Sequence, residues 1–270
     1  MENKLIIMVA LAVAVAGCAD LPTGNDGNGN SEQERAEGQG LEVVELRTTD
    51  NTLQPGQSAK AVLRLKNYHT EEVSIINNTL INTGLVDVSG KSCSPSEIRQ
   101  AEQGLRPEMR CEWDLNVPED VDMSTEQKAQ SMTLYLKYDS SLTLVRPLEL
   151  EFKEFEDINS TATITRSFSN GEVEGSLSVE SPATLQGRTA DFMIREVGDG
   201  RVTSPYTFEY YPQQPSVFNG CPEEDEPVVG NQLEFSCTLQ ADSAATRNLY
   251  FSTYYKYAKE PTLNINIVNN

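Results

Sequence analysis

The stretch YLKYDSSLTL (Tyr135–Leu144) recurs later in the chain as YYKYAKEPTL (Tyr254–Leu263), and this recurrence decides the fold. Tyrosines, a lysine, a threonine and a leucine match, in the pairs Tyr135 and Tyr254, Lys137 and Lys256, Tyr138 and Tyr257, Thr143 and Thr262, and Leu144 and Leu263. Upstream, LQPGQSA (53–59) is echoed by LQGRTA (185–190). Landmarks that recur in the same order indicate a diverged tandem duplication of one domain.

Both copies alternate apolar and polar residues with a period of two, which is typical of strands with one buried face. The pattern is clear in AKAVLRLKN (59–67), MTLYLKY (132–138), RTADFMIRE (188–196) and TLNINIV (262–268). Turn residues such as Asn170-Gly171 separate the strands. The sequence therefore predicts an all-β protein with two tandem β-sandwich domains, at residues 41–157 and 158–270.

The segment L-x-P-G-Q-S-A (53–59), followed by a strand and an Asn, resembles the opening of Ig-like and CARDB-type modules on prokaryotic cell-surface proteins. The resemblance implies an Ig-like sandwich in each copy. The chain departs from antibody-type domains in two ways. Its cysteines lie too close together in sequence for an inter-sheet bridge, and Trp113 follows Cys111 instead of preceding it.

One segment departs from the β pattern. In SPSEIRQAEQGL (94–105), Ile98, Ala101 and Leu105 would share one face of a helix, with serines at its start and a glycine near its end. We expect a short helix here, between Cys93 and Cys111.

The N-terminus resembles the signal of a prokaryotic lipoprotein. Leu5–Ala16 form an apolar run that is shorter than the ~20 residues of a membrane span. Val15-Ala16-Gly17-Cys18 resembles a lipobox, which implies that residues 1–17 are removed and that Cys18 is lipidated. Residues 18–40 are polar and lack aromatic residues, so we expect a lipid-anchored, disordered tether. An ordinary secreted protein or an uncleaved membrane helix is the alternative.

Four cysteines remain besides Cys18, an even number in a chain addressed to an oxidising space. The spacing favours the pairs Cys93–Cys111 and Cys221–Cys237, because each pair closes a local loop of similar size. The rival hypothesis is a zinc site with four cysteine ligands. It is disfavoured because the chain has no C-x-x-C step and no histidine near either pair.

The charge limits the classes of partner. The chain carries 41 acidic and 21 basic residues, for a net charge of −20. Nucleic-acid phosphates and anionic lipid headgroups would be repelled, so we expect no nucleic-acid partner. Membrane contact is then limited to the lipid on Cys18. An acidic surface fits an archaeal, salt-adapted source as well as an ordinary extracellular protein, and the sequence does not choose between them.

The residues of common catalytic mechanisms are sparse. The only histidine is His69, in the polar stretch KNYHTEE, where we expect it exposed in a loop. Carboxylates can catalyse without histidine, but among so many acidic residues no pair stands out. The densest acidic cluster is Glu223, Glu224, Asp225 and Glu226. These carboxylates could share a Ca²⁺, but EF-hand spacing is absent, and a solvated acidic loop is the favoured interpretation. We expect no other cofactor.

Candidate binding residues lie in YTFEYYPQQPSVF (206–218). Tyr206, Tyr211 and Phe218 are the candidates, because exposed aromatic side chains are effective in recognition. For Tyr206 core packing is the favoured interpretation, whereas Tyr211 would point away from the core. Two N-x-S/T sequons, at Asn77 and Asn159, would accept glycans on a glycosylating cell surface.

These features favour a non-enzymatic cell-envelope lipoprotein. It would display two Ig-like domains on the outer face of the membrane, where they bind an envelope protein or glycan in a structural or adhesive role. The alternatives are an accessory subunit of an envelope complex, such as a transporter or surface appendage, and a hydrolase dependent on carboxylates or Ca²⁺. Because a fold of this class hosts many functions, fold alone does not choose between them.

Overall fold

The computed structural model describes residues 33–35, 40–69, 72–102, 105–122, 127–211, 217–222 and 231–269, and of 33–35 only the backbone. Within these residues every regular element is a β-strand except one turn of 3-10 helix at Phe155–Asp157. The prediction of an all-β protein is therefore confirmed.

The strands before the 3-10 helix are β1 (Gln33–Arg35), β2 (Leu41–Thr48), β3 (Thr52–Leu53), β4 (Ser58–Asn67), β5 (Ile75–Ile81), β6 (Asp87–Ser94), β7 (Glu108–Asn116), β8 (Gln127–Thr143) and β9 (Leu148–Lys153). Those after it are β10 (Ala162–Ser169), β11 (Val173–Ser181), β12 (Ala183–Thr184), β13 (Arg188–Glu196), β14 (Arg201–Val202), β15 (Thr207–Tyr211), β16 (Phe218–Asn219), β17 (Gln232–Leu239), β18 (Ala245–Lys259) and β19 (Thr262–Val268).

The first sandwich has the strand order of an Ig constant-type domain. If the two-residue β3 is left aside, β2 to β8 take the positions A to F, and one sheet runs β2-β4-β7-β6, which is the order A-B-E-D. The opposite sheet contains β5 and β8, at positions C and F. Leu63 and Leu115 from the first sheet and Leu134 and Leu136 from the second belong to one buried cluster. Alternation along each strand therefore places its apolar face between the sheets.

The second sandwich repeats this order. If the two-residue β12 and β14 are left aside, β11-β13-β17-β16 again form an A-B-E-D sheet, and β15 and β18 take the positions C and F. The sheet is widened at one edge by β10 and β1. Stacked and tilted rings fill the core, with Phe192 lying 4.7 Å from Phe235 and 5.2 Å from Phe251. The predicted pair of Ig-like sandwiches is thus confirmed.

The two F strands join the sandwiches. Thr143–Leu136 of β8 pair antiparallel with Ser252–Lys259 of β18, and Tyr138 lies directly opposite Tyr257, its counterpart in the sequence repeat. An approximate two-fold axis therefore passes through this pair of tyrosines, and the repeats meet as two copies would meet in a symmetric dimer. Tyr138 and Tyr257 are both fully buried, with their ring centroids 6.0 Å apart.

The last strand of each repeat completes the sandwich of the other repeat. β19 pairs with the first half of β8 and, in parallel, with β3, so it takes position G of the first sandwich. β9 pairs with the first half of β18 and, in parallel, with β12, so it takes position G of the second. The ladder between residues 127–153 and 245–268 is nearly continuous over roughly 80 Å. The Leu134 amide bridges one gap by donating to the Pro261 carbonyl.

The exchange crosses the predicted boundary between residues 157 and 158. The interval 41–157 contains β9, which belongs to the second sandwich, and the interval 158–270 contains β19, which belongs to the first. Neither interval by itself contains a complete sandwich. The predicted tether also differs from the structure at Gln33–Arg35, which pair in parallel with Ser167–Ser169.

Both predicted disulfides are confirmed. Cys93 and Cys111 lie directly opposite each other on β6 and β7, and Cys221, just after β16, is joined to Cys237 on β17. Each bridge therefore joins positions D and E within one sheet, which explains why the sequence separations are too short for an inter-sheet bridge.

The predicted helix at 94–105 is wrong for the residues that the structure describes there. Ile98 is fully buried and forms an antiparallel bridge with Val73. The Ala101 amide donates to the His69 carbonyl, and the Asn67 side chain donates to the Arg99 carbonyl. The backbone groups thus bond to a neighbouring loop instead of to each other, because burying Ile98 against the core outweighs local helix formation.

Candidate functional site

A tight turn between β10 and β11 places a carboxylate at the junction of the two sandwiches. The side chain of Asn170 accepts hydrogen bonds from the amides of Glu172 and Val173, each at 3.0 Å. Gly171 takes the left-handed conformation, with φ of 82°, which an Asn-Gly turn allows at little cost. The turn directs Glu172 inward, and its side chain is 0% exposed.

One oxygen of Glu172 binds three groups of the first repeat. The Tyr138 hydroxyl donates to Oε1 at 2.6 Å, the Leu41 amide donates at 3.1 Å, and Nε2 of His69 lies 3.2 Å away. Gly40 precedes Leu41, and a Cβ there would lie 2.2 Å from the same oxygen. A glycine is therefore required where the chain passes the carboxylate.

The second oxygen binds hydroxyls from both F strands. Ser140 donates to Oε2 at 2.5 Å, and the Tyr255 hydroxyl lies 3.4 Å away. Asn170 donates to the Tyr255 hydroxyl at 2.6 Å, so the turn that carries Glu172 also orients this tyrosine. The carboxylate thus bonds to residues that are far apart in the sequence and belong to both repeats.

Glu172 is charged at neutral pH. Burial by itself would raise its pKa, but the hydrogen bond and charge of His69 and the hydroxyls of Ser140 and Tyr138 favour the ionised form, and the net result is a lowered pKa. Burial and the neighbouring carboxylate raise the pKa of Tyr138 and of Tyr255, so both hydroxyls stay protonated as donors. The cluster is therefore one buried anion held by donors.

The expectation that His69 is exposed in a loop is wrong. Its residue exposure is only 7%, and its ring pairs with Glu172. The polar neighbours of His69 in the sequence suggested a solvent-exposed side chain. In the structure the ring is buried at the junction of the two sandwiches, because it pairs there with the carboxylate of Glu172. No sequence signal short of the fold would have joined these two residues.

A cleft of about 70 Å³ opens beside the buried cluster. It is lined by His69, Glu72, Val73, Asp139, Ser140, Ser141 and Tyr254. Ser140 links the cleft to the buried anion, because its hydroxyl donates to Glu172. Within the described ranges, no group of three or more His, Cys, Asp or Glu residues has a metal-binding arrangement.

The outward face of the nine-stranded sheet carries exposed tyrosines. Tyr211 on β15 is 61% exposed, and its ring centroid lies 5.9 Å from that of Tyr250, opposite it on β18. Tyr254 is 36% exposed, and its hydroxyl donates to Glu209 at 3.1 Å. We call Tyr211, Tyr250 and Tyr254 the tyrosine face.

The structure separates the three predicted binding residues. Tyr211 is on the surface, as the alternation along its strand predicted. Tyr206 is 1% exposed and packs against Tyr255, so it is a core residue and is not accessible to a partner. Phe218 is half-buried, 4.8 Å from the ring of Tyr210.

Several predicted sites are not brought to the junction. Asn77 lies at a bulge in β5 and accepts a hydrogen bond from Thr79, and Asn159 is exposed just after the 3-10 helix, so their glycosylation stays a prediction. The predicted lipidation site Cys18 and the predicted calcium cluster Glu223, Glu224, Asp225 and Glu226 lie outside the described residues. Within the described part of the chain, no helix has the length and apolar character needed to cross a bilayer.

Comparisons with known proteins place the chain in no family. No family model and no curated protein matches it. Among solved structures it is similar to the collagen adhesin CNA of S. aureus, with 9% identity, a TM-score of 0.17, and coverage of 89% of this chain and 96% of that one. It is also similar to the MSCRAMM ACE of Enterococcus faecalis, described as binding its ligands by the collagen Hug model, with 7% identity, a TM-score of 0.17, and coverage of 84% and 95%. Superpositions with these TM-scores support no argument about the function of this chain.

Proposed function

We propose that this protein is a non-enzymatic lipoprotein of the cell envelope that binds another envelope protein through the tyrosine face. The grouping of Tyr211, Tyr250 and Tyr254 on one sheet face carries the proposal, because Tyr211 and Tyr254 are exposed and Tyr250 is half-buried beside Tyr211. Tyrosine offers a large amphipathic contact area and is enriched among residues that dominate binding energy. The lipid on Cys18 would hold the protein at the outer face of the membrane.

The shared sheet supports a role in adhesion or scaffolding. The tyrosine face lies on β15 and β18, and β18 is hydrogen-bonded to strands of both repeats. Force applied by a ligand bound there would be distributed over the long strand ladder and both disulfide-containing sandwiches, and not over a single loop. A rigid sheet keeps the contact residues in position before binding, so that little conformational entropy is lost when the ligand binds.

An accessory subunit of an envelope complex is a second candidate, and one strand favours it. β5 is hydrogen-bonded only to β8 among the described strands, so its other edge is open. It carries two exposed isoleucines, Ile76 and Ile81. Open edges of this kind accept an added strand from a partner.

The anchor is tested by the intact mass of the native protein extracted from membranes, with Cys18→Ser as the control. We expect a chain that begins at Cys18 and carries acyl mass. An unlipidated chain, or one that begins elsewhere, would overturn the lipoprotein part of the proposal.

Binding is tested with the folded part of the protein on purified envelopes from cells that lack it. Tyr211→Ala combined with Tyr250→Ala should reduce binding at least tenfold, because hot-spot tyrosines contribute about 2 kcal/mol or more each. Val145→Ala, which also removes an exposed apolar side chain, is the matched control. Equal binding by the tyrosine variant would overturn the proposed surface, and binding that survives protease treatment of the envelopes would identify a glycan instead of a protein.

A further inference from the structure

We infer that two copies of this chain assemble by exchanging whole repeats, so that the first repeat of each copy joins the second repeat of the other. The partner is thus a second copy of the chain, and the interface is the junction between the repeats. We call this assembly the exchanged dimer. The inference goes beyond the proposed function and does not rest on it, although the exchanged dimer would present the tyrosine face twice.

The interface between the repeats has the form of an interface between two molecules. β8 and β18 pair antiparallel around Tyr138 and Tyr257, which is the kind of contact that two identical copies make about a two-fold axis. Each repeat is also incomplete by itself, because it takes its G strand from the other. The first repeat is therefore completed equally well by a second repeat of its own chain or of another chain.

The buried carboxylate cluster would be shared between copies in the same way. The hydroxyls of Tyr138 and Ser140, in the first repeat, donate across the junction to Glu172, in the second, at 2.6 and 2.5 Å. In the exchanged dimer each of the two junctions takes its carboxylate from one copy and these donors from the other. Because the contacts across the junction are the same in both forms, exchange sacrifices neither a buried hydrogen bond nor apolar packing between the repeats.

The segment that connects the repeats does not commit them to one chain. Residues 154–161, which we call the linker, lie between β9 and β10, and all of them are exposed except the half-buried Ile158. The linker backbone bonds to itself, since the Asp157 amide donates to the Glu154 carbonyl at 3.0 Å and the Ile158 amide donates to the Phe155 carbonyl at 3.3 Å. The linker can therefore cross from one pair of repeats to another without uncovering a core residue.

The length of the linker permits such a crossing. Eight extended residues reach up to about 26–29 Å, whereas two packed sheets of one sandwich lie only about 10 Å apart. The linker thus has length to spare for a connection between two sandwiches that lie side by side.

The balance between the monomer and the exchanged dimer is set mainly by the linker, because the contacts between the repeats are the same in both. A short linker offers the second repeat to the first at an effective concentration on the order of 1 mM. Exchange competes as the concentration of chains approaches this value. Since neither sandwich keeps its G strand while the other repeat is unfolded, the two forms interconvert through unfolding, and the form is chosen when the chain folds.

The test refolds an equimolar mixture of two variants from urea, with the native disulfides intact. Both variants are residues 18–270 with Cys18→Ser, and one carries Glu149→Cys on β9 while the other carries Asn248→Cys on β18. These exposed positions lie directly opposite each other across the two repeats, so the new cysteines meet only where two chains have exchanged. After oxidation we expect a covalent dimer on a non-reducing denaturing gel. Its ratio to monomer should rise about tenfold between ~10 and ~100 µM.

Two controls separate exchange from other causes of dimerisation. Thr246→Cys in place of Asn248→Cys keeps an exposed cysteine on β18, but diagonal to residue 149 and too far away for a bridge. Deletion of Phe155–Asp157 shortens the linker and should raise the dimer fraction several-fold, because a short connection hinders closure within one chain. Replacement of the same three residues by Gly-Ser-Gly keeps the length and should leave the dimer fraction near that of the unmodified linker.

A bridge that forms with Asn248→Cys and not with Thr246→Cys, and that increases with concentration and with the shorter linker, supports the inference. Only unbridged chains at ~100 µM, with the linker either intact or shortened, would overturn it. Dimers on gel filtration that contain no bridge would also overturn it, because they would reflect association of intact surfaces without exchange. Equal bridging by the Thr246→Cys control would show random contact between thiols, with the same consequence.

Discussion

At the scale of single residues, Glu172 is the side chain that bonds to groups of both repeats at their junction. Its two oxygens are approached by the hydroxyls of Tyr138, Ser140 and Tyr255, the amide of Leu41 and the ring of His69. Each of these groups is buried or held in place by the carboxylate. Removing the acceptor would leave several donors unsatisfied at once, and a buried donor without a partner costs about 1–3 kcal/mol.

We therefore expect Glu172→Gln to lower the free energy of unfolding by about 3 kcal/mol, since the amide keeps the size of the side chain but loses the charge that His69 and the hydroxyls require. Denaturant unfolding measures the change. Glu180→Gln is the control, because this glutamate lies on β11, the strand that follows Glu172, and forms a partly exposed ion pair with Arg188. Its loss should cost less than about 1 kcal/mol. Equal costs for the two variants would contradict a special role for Glu172.

The same residue predicts a response to acid. The folded pKa of Glu172 lies below its ordinary value, so the unfolded chain binds this proton more tightly than the folded chain. The stabilisation that ionised Glu172 provides is complete above its unfolded pKa of about 4.3, and it is lost as the pH falls through the folded pKa. We expect the free energy of unfolding of the native protein to fall more steeply with acid than that of Glu172→Gln below about pH 4.3. Parallel curves from chemical denaturation would contradict this assignment.

These residues mark the limit of sequence reasoning. The polar neighbours of His69 suggested an exposed side chain, and no sequence pattern singled out Glu172, which lies in an Asn-Gly turn. The period-two pattern assigns burial only within strands, whereas these two residues lie just outside strands. Their burial depends on how one repeat docks against the other, which local patterns do not contain. Tyr211 was predictable because it lies within a strand.

At the scale of elements, the alternating pattern predicted the strands and the spacing predicted the disulfides, but the exchange of β9 and β19 was not predictable. Both strands alternate in the same way, and either one could complete either sandwich with its apolar face inward. The choice is made by the ladder between β8 and β18, which directs each following strand along the partner's F strand. The alternating pattern of β9 and β19 is satisfied equally whether each strand pairs within its own repeat or with the other repeat.

Engineered cysteines test the exchange directly. Glu149 on β9 and Asn248 on β18 are exposed and directly opposite each other, so Glu149→Cys with Asn248→Cys should form a disulfide without moving the backbone. Glu149→Cys with Thr246→Cys is the control, because this pair is diagonal, at about 7–8 Å, which is too far. Peptide mapping of the unreduced protein identifies the bridge. Free thiols in the first variant would contradict the pairing.

At the scale of the whole molecule, the shared sheet should make the two sandwiches unfold together. Neither sandwich keeps its G strand if the other repeat unfolds, and the buried residues of both form one contiguous cluster. Two independent domains would instead melt separately. The single tryptophan, Trp113, is buried in the first sandwich and reports on that half alone.

We expect Phe192→Ala, which removes a buried ring from the second sandwich, to cost about 3–5 kcal/mol and to shift the Trp113 fluorescence transition by the same amount as the transition seen by circular dichroism. Phe155→Ala is the control, because this ring is largely exposed on the 3-10 helix. A fluorescence transition that stays in place while the circular dichroism transition shifts would show that the sandwiches unfold independently.

The position of β19 also constrains the order of events as the chain is synthesised from its N-terminus. Residues 41–143 can emerge, and the disulfide between Cys93 and Cys111 can close, while position G of the first sandwich is still empty. The native partner of that edge, residues 262–268, is synthesised only after the other strands of the second repeat. A nascent chain of this architecture would lack the native partner of an open strand edge during most of its synthesis, and such edges are prone to aggregate until they are paired or covered.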